Sequence, residues 1–154
     1  MLVVRTFQEE EEEHRALKTN LEGPMSCGAE AISMGFMTVA TNSTTAVSVP
    51  TGSWRSSAGY TYGRGWGEMR GKNGNISVEP GLQLTNDVAD PTAGGTTITL
   101  GSALTADGTS NPQSTPISLS VAGYKYARPV WIVKLTSGTT LATAAVTGVI
   151  ELVR

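Results

Sequence analysis

The side chains that most often carry chemistry are scarce in this chain, which has one His and one Cys among 154 residues. His14 follows the run Glu9, Glu10, Glu11, Glu12 and Glu13, whose carboxylates favour the charged imidazolium and so spoil it as a general base. Cys27 lies among small residues, with no basic neighbour in sequence to hold it as a thiolate. With one of each, neither an internal disulfide nor a Cys/His zinc cluster can be assembled. Glu68 and Glu79 would serve glycoside hydrolysis only if the fold set them face to face. Asp87, Asp90 and Asp107 are loop-type oxygen donors without the spacing of a calcium loop. Gly63-Arg64-Gly65-Trp66-Gly67 matches neither GxGxxG nor GxxxxGK, so it is no phosphate loop. These residues point away from an enzyme, and they require neither cofactor nor metal.

The unusual stretch is Ser53 to Lys72, SWRSSAGYTYGRGWGEMRGK. It holds Trp54, Tyr60, Tyr62 and Trp66, four of the nine aromatic residues, together with Arg55, Arg64, Arg70 and Lys72 against a single acid, Glu68. Aromatic faces and guanidinium groups together are typical of protein interface hot spots, and they also stack on sugars or bases. Three readings stand side by side: a protein–protein contact surface, ordinary sandwich core with solvated arginines, and a platform for a glycan or single-stranded nucleic acid. The stretch is net +3, whereas residues 1–24, with six acids and three bases, are net −3. That complementarity makes the Glu9 to Glu13 run of a neighbouring subunit a natural partner for it, in a contact that salt would weaken.

Strands carry these residues. After Pro24 the chain turns to Thr, Ser, Ala, Gly and Val, a composition that suits strands and turns because β-branched side chains lose rotamer freedom in a helix. Alternation predicts strands at Met34 to Val39, Thr45 to Val49, Asn75 to Glu79, Leu82 to Thr85, Thr96 to Leu100 and Ile117 to Val121. Pro80-Gly81 reads as a tight turn between two of them. At the C-terminus, Val130 to Leu135, a Ser137-Gly138 turn, Thr140 to Ala144 and Val146 to Val153 read as a hairpin. Gly148 interrupts the last of these as a bulge. Turn signals every 8–12 residues or so fit an antiparallel sandwich. The expected fold is all-β, an antiparallel β-sandwich or jelly-roll-like barrel over residues 25–154. An acidic arm, residues 1–24, precedes it; its Thr6-x-x-Glu9 capping box and Gly23-Pro24 stop predict a short helix from about Phe7 to Asn20.

A formal net charge of −2 argues against a general nucleic-acid binder. The early Glu run, with neither a basic start nor a long apolar stretch, argues against a signal peptide or a spanning helix. The segment PVWIVKLTSGTTLATAAVTGVIELVR (Pro129 to Arg154), joined to a Thr/Ala/Gly-rich body and a polar arm, resembles the small β-structured virion proteins of tailed bacteriophages, especially capsid decoration or cement proteins. The likeness is one of style over most of the chain, and no functional residue is carried over by it. It implies a non-enzymatic subunit, homo-oligomeric and often trimeric, made in the host cytoplasm. Such a subunit sits on the capsid surface of the virion and ties the major capsid protein together. A carbohydrate- or receptor-binding β-sandwich using Trp54, Tyr60, Tyr62 and Trp66, as in a fibre or adsorption component, is the alternative. If the arm holds neighbouring subunits together, deleting residues 1–23 lowers the oligomer mass seen by light scattering; an unchanged mass refutes it.

Overall fold

A computed structural model describes residues 28–92, 95–105 and 112–154. The arm with its expected helix, the Glu9 to Glu13 run, His14, Cys27 and Asp107 lie outside the described residues. Nine strands are present among them: β1 (Ala29–Thr41), β2 (Val47–Pro50), β3 (Arg55–Ser56), β4 (Tyr62–Asn73), β5 (Ile76–Thr85), β6 (Thr96–Thr99), β7 (Leu119–Ser120), β8 (Tyr126–Leu135) and β9 (Ala142–Val153). They form two antiparallel sheets, β1-β9-β4-β7 and β2-β8-β5-β6, with β3 added on β8. In the two orders sequence neighbours occupy equivalent places: β1 with β2, β9 with β8, β4 with β5, β7 with β6. First strand beside last strand, with β1 to β2, β4 to β5, β6 to β7, β7 to β8 and β8 to β9 each passing from one sheet to the other, is the jelly roll. The all-β sandwich expected from composition is therefore the fold.

The alternation of strand side chains divides each sheet into a core face and a solvent face. Towards the core, β5 and β8 send large side chains: Ile76, Val78, Leu82, Leu84, Trp131, Val133 and Leu135. The opposite sheet answers with small ones, Ala142, Ala144 and Gly148 from β9 and Gly63, Gly65 and Gly67 from β4. The fit is close. A Cβ on Gly67 would lie 2.4 Å from the Trp131 ring, one on Gly148 2.9 Å from the same ring, and one on Gly65 2.5 Å from Ile150 Cδ1. The glycines of GRGWG are thus the floor beneath Leu100, Ile150 and Trp131, and their alternation with Arg64 and Trp66 is strand alternation.

Three expectations are corrected. The C-terminal pair is not a hairpin: β8 and β9 lie in different sheets. The turn residues are right, with Gly138 at φ +81°, but each strand has a long inward apolar row, and an arch buries one row against the other where a hairpin would set both on one face. Thr136, Asn75 and Ser43 lace this arch to the two beside it, through Leu135 N–H to Ser43 O at 2.7 Å and Thr136 N–H to Asn75 O at 2.9 Å. Pro80-Gly81 is not a turn either, since β5 runs unbroken from Ile76 to Thr85 against β8. Pro80 O accepts from Leu100 N–H, so the missing donor of Pro80 points to the side where β6 has already ended and no ladder bond is lost. Finally, Gly148 is no bulge. The irregularities are on its neighbours, between Ser33 and Gly35 in β1 and between Met69 and Gly71 in β4, and it is Gly35 that takes positive φ.

One side of the sandwich is sealed by the connection from β6 to β7. Leu100 O and Pro112 O accept from Gly65 and Met69 N–H on β4, while Leu104 exchanges two bonds with Val78 on β5. Adding a methyl under Trp131 in Gly67→Ala or Gly148→Ala should cost about 1–3 kcal/mol, the usual penalty of an overfilled core. Gly71→Ala, where a Cβ meets nothing within 4 Å, should stay within about 0.5 kcal/mol of the parent. Urea unfolding of the three variants reads the difference, and equal midpoints would show that the glycines are not spacers.

Candidate functional site

The structure separates the aromatic and basic residues of Ser53 to Lys72 into three places. Tyr62, Arg64, Trp66 and Arg70 alternate along the solvent face of β4. Arg55 and Tyr60 join Glu30 of β1 at one end of the sandwich. Trp54 leaves both groups and lies on the outer face of the other sheet, its ring 4.6 Å from the Arg128 guanidinium.

The solvent face of the first sheet is ordered by register. Its rows are Tyr62–Val153–Ala29, Arg64–Glu151–Ala31, Trp66–Val149–Ser33 and Glu68–Thr147–Phe36. The central strand offers only small or β-branched side chains and one acid, so the face is low in the middle. Phe36 is 68% exposed and Trp66 38%, and a depression of about 330 Å³ lies between Trp66, Val149 and Ser33, with Gln113 on its rim. The charges cancel in pairs. Arg64 Nε lies 2.5 Å from Glu151 Oε2 and Arg70 Nη2 3.1 Å from Glu68 Oε2. Hydrogen bonding to Glu151 raises the Arg64 pKa above its ordinary value. The result is a nearly neutral surface, low at its centre, with Phe36, Trp66 and Tyr62 as its exposed aromatic side chains. Phe36 and Val149 were not singled out by the sequence, because nothing there told which alternate residues of β1 and β9 face outward.

At the end of the sandwich Glu30 receives two donors, Tyr60 O–H at 2.6 Å and Arg55 Nη1 at 2.8 Å, while Arg154 stacks 5.0 Å from the Tyr60 ring. This cluster clasps β1 of one sheet to β3 of the other. The Tyr60 hydrogen bond is the main reason the Glu30 carboxyl lies below its ordinary value; burial opposes it, and Arg55 and Arg154 assist. Three arginines expected to meet the acidic arm, Arg55, Arg64 and Arg70, thus already have carboxylate partners in their own chain.

The outer face of the second sheet carries a different arrangement. Thr97, Gln83 and Arg128 share one register row across β6, β5 and β8, and Trp54 continues it. Arg128 Nε donates to Gln83 Oε1 at 2.7 Å. These four line a groove of about 440 Å³ with Pro91, Thr92 and Thr96. Sequence reasoning found Trp54 but not Arg128, Gln83 or Thr97, which are 45 or fewer residues apart along the chain and meet only through sheet register. Glu68 and Glu79 are on opposite solvent faces, since Glu79 accepts from Thr99 on the second sheet, so they form no acid pair. Asp87 and Asp90 accept from Ala89 N–H and Thr92 O–H within their own turns. Among the described residues no three His, Cys, Asp or Glu side chains gather as a metal site, and no helix is long and apolar enough to cross a membrane.

With strand order and faces in place, the chain is defined as a jelly roll with two dissimilar outer surfaces. No protein-family model matches it, and no curated protein does. Among solved structures it is similar to a chain in the structure of infectious bursal disease virus Gx strain, with a TM-score of 0.48 and 10% identity, over 80% of this chain and 32% of that one. The jelly-roll assignment rests on strand order and not on that superposition.

The Glu30 cluster generates a pH prediction. A lowered carboxyl stabilises the fold fully above its unfolded value, 4.5, and that stabilisation is lost as pH falls through the lower folded value. Tyr60→Phe removes the principal donor. The Glu30 carboxyl should then titrate closer to 4.5 by NMR, with a smaller loss of stability on the acid side; an unmoved titration would show that Tyr60 is not its main partner.

Proposed function

We propose that this protein is a non-enzymatic structural subunit of a virion, a capsid decoration or cement protein that works by contact with neighbouring chains through the solvent face of β1, β9 and β4. The observation that carries this reading is that face itself. Charges are paired within the chain, the centre is low with Glu151 as its one long side chain and that one paired with Arg64, and Trp66, Phe36 and Tyr62 stand at its margins. Well-packed interfaces have this anatomy, a core depleted of unpaired charge and anchored by aromatic residues. The jelly roll suits the task because the inner strands β9 and β4 are paired on both sides, leaving their outward side chains to make the contact. It does not dictate the task, since the same fold serves lectins and cupins. The C-terminal likeness to tailed-phage decoration proteins supports the same reading, with the major capsid protein as partner and the capsid surface as location. A homo-oligomer, a trimer by that likeness, would present several such faces to a lattice at once and gain from their joint engagement.

Co-sedimentation with shells of the major capsid protein tests the reading. Phe36→Ser and Trp66→Ser change exposed side chains and should leave the melting temperature close to the parent's while weakening binding, by about tenfold or more for an anchor worth 2 kcal/mol. Binding equal to the parent's by both folded variants would overturn the face, and no saturable binding by the parent would overturn the function.

A further inference from the structure

The groove on the outer face of the second sheet is not explained by a lattice-contact role, and we propose that it is a binding site for a carboxylated sugar, a uronic or sialic acid residue. The inference is independent of the proposed function and concerns the opposite face of the molecule.

Arg128 is the reason. Among the described residues, Arg55, Arg64 and Arg70 each meet a carboxylate, whereas Arg128 meets none; its partners are the neutral Gln83 amide and the Trp54 ring. Both contacts hold the guanidinium. The indole face holds Cζ at 4.6 Å from its centroid, and the bond from Nε to Gln83 Oε1, at 2.7 Å, sets the direction of the Nε edge. Neither uses the two terminal nitrogens. A guanidinium held at its Nε edge with its fork uncommitted is the geometry that receives a carboxylate by two parallel hydrogen bonds. The cost of ordering that long side chain is met before any ligand arrives, which is how preorganised sites gain affinity.

The remaining lining says what else the ligand carries. Once Oε1 of Gln83 has accepted from Arg128, its amide N–H₂ remains to donate. Thr97 stands next to Gln83 in register, and Thr96 and Thr92 edge the groove. Hydroxyl and amide groups spaced along a strand row suit a polyol. Trp54 adds apolar surface for the ring C–H face, and a volume of about 440 Å³ is in the range of small-ligand pockets.

The other carboxylate source with a claim is the chain's own Glu9 to Glu13 run. Charge counting disfavours it: five adjacent carboxylates would meet one uncommitted guanidinium, leaving the others to be desolvated without partners. A ligand with one carboxylate and several hydroxyls matches the lining group for group.

The test uses the full-length protein and NMR of the Trp54 indole, assigned through Trp54→Phe. Glucuronic acid, N-acetylneuraminic acid and methyl glucoside are titrated separately. A saturable shift is expected with at least one of the acids, with the neutral glucoside binding about tenfold or more weakly, and with salt weakening only the acid. Arg128→Gln should weaken acid binding by about ten- to hundredfold, the worth of a charge-assisted hydrogen bond, while its melting curve confirms the fold. Trp66→Ser, on the other face, should bind as the parent does. Equal binding of glucoside and acid, unchanged binding by Arg128→Gln, or no saturation with either acid overturns the site. Displacement of bound sugar by a peptide of residues 6–18 at lower concentration than free sugar would assign the groove to the arm instead.

Discussion

The sandwich depends on one packing constraint, the far edge of the Trp131 ring set against Gly67 and Gly148. The two sheets meet at their middles through this contact. A ring that size fits between sheets only where the opposing strands have no Cβ, and a methyl at either glycine would enter its van der Waals envelope. Among the described residues the indole Nε1 has no hydrogen-bond partner, which costs about 1–3 kcal/mol. Burial of a side chain of 150–250 Å² at about 25 cal/mol per Å² returns about 4–6 kcal/mol, so packing wins over the unsatisfied donor.

That constraint explains a sequence pattern that otherwise misleads. Glycine is depleted in strands because it packs nothing and loses the most entropy on ordering, so Gly63-Arg64-Gly65-Trp66-Gly67 does not read as a strand from propensity. The large residues opposite make it one. Leu82, Leu100 and Trp131, with Ile150 from the neighbouring β9, supply the apolar volume that β4 lacks, and β4 supplies the space. The same alternation that hides glycines inside turns Tyr62, Arg64, Trp66 and Arg70 outward together. A core requirement thus places the exposed aromatic and basic side chains on one face, and the two functions of the strand are carried by its two parities.

Class and composition were legible in the sequence; sheet membership was not. Strand runs such as Met34 to Val39 and Val130 to Leu135 were plain from alternation, as was the Ser137-Gly138 turn. Alternation says which residues share a face but not which strand lies beside which. The arch between β8 and β9 therefore looks like a hairpin until the long inward rows of both strands are required to meet. Pro80-Gly81 reads as a turn because Pro fixes φ and Gly tolerates positive φ, yet a strand also accepts Pro where no ladder bond is lost, as at the early end of β6. The aromatic and basic stretch reads as one cluster because its members are close in sequence. In space it divides, since Trp54 precedes β3 on one sheet and Trp66 belongs to β4 on the other.

The division matters for how the surface electrostatics are understood. Counted along the chain, Ser53 to Lys72 is a basic patch; counted in space, its arginines are largely neutralised by Glu30, Glu68 and Glu151 from two other strands and their own. Each such exposed pair contributes little to stability, but together they remove the long-range field that would steer an acidic partner to this face. What remains is short-range: aromatic surface on one side of the sandwich and, on the other, the Arg128 guanidinium, which forms no salt bridge among the described residues. A neutral face with aromatic anchors selects partners by shape, and an uncommitted guanidinium selects them by charge and geometry. The two outer surfaces of one small jelly roll are therefore suited to different kinds of ligand, and they can be altered separately because the core between them is fixed by Trp131 and its glycines.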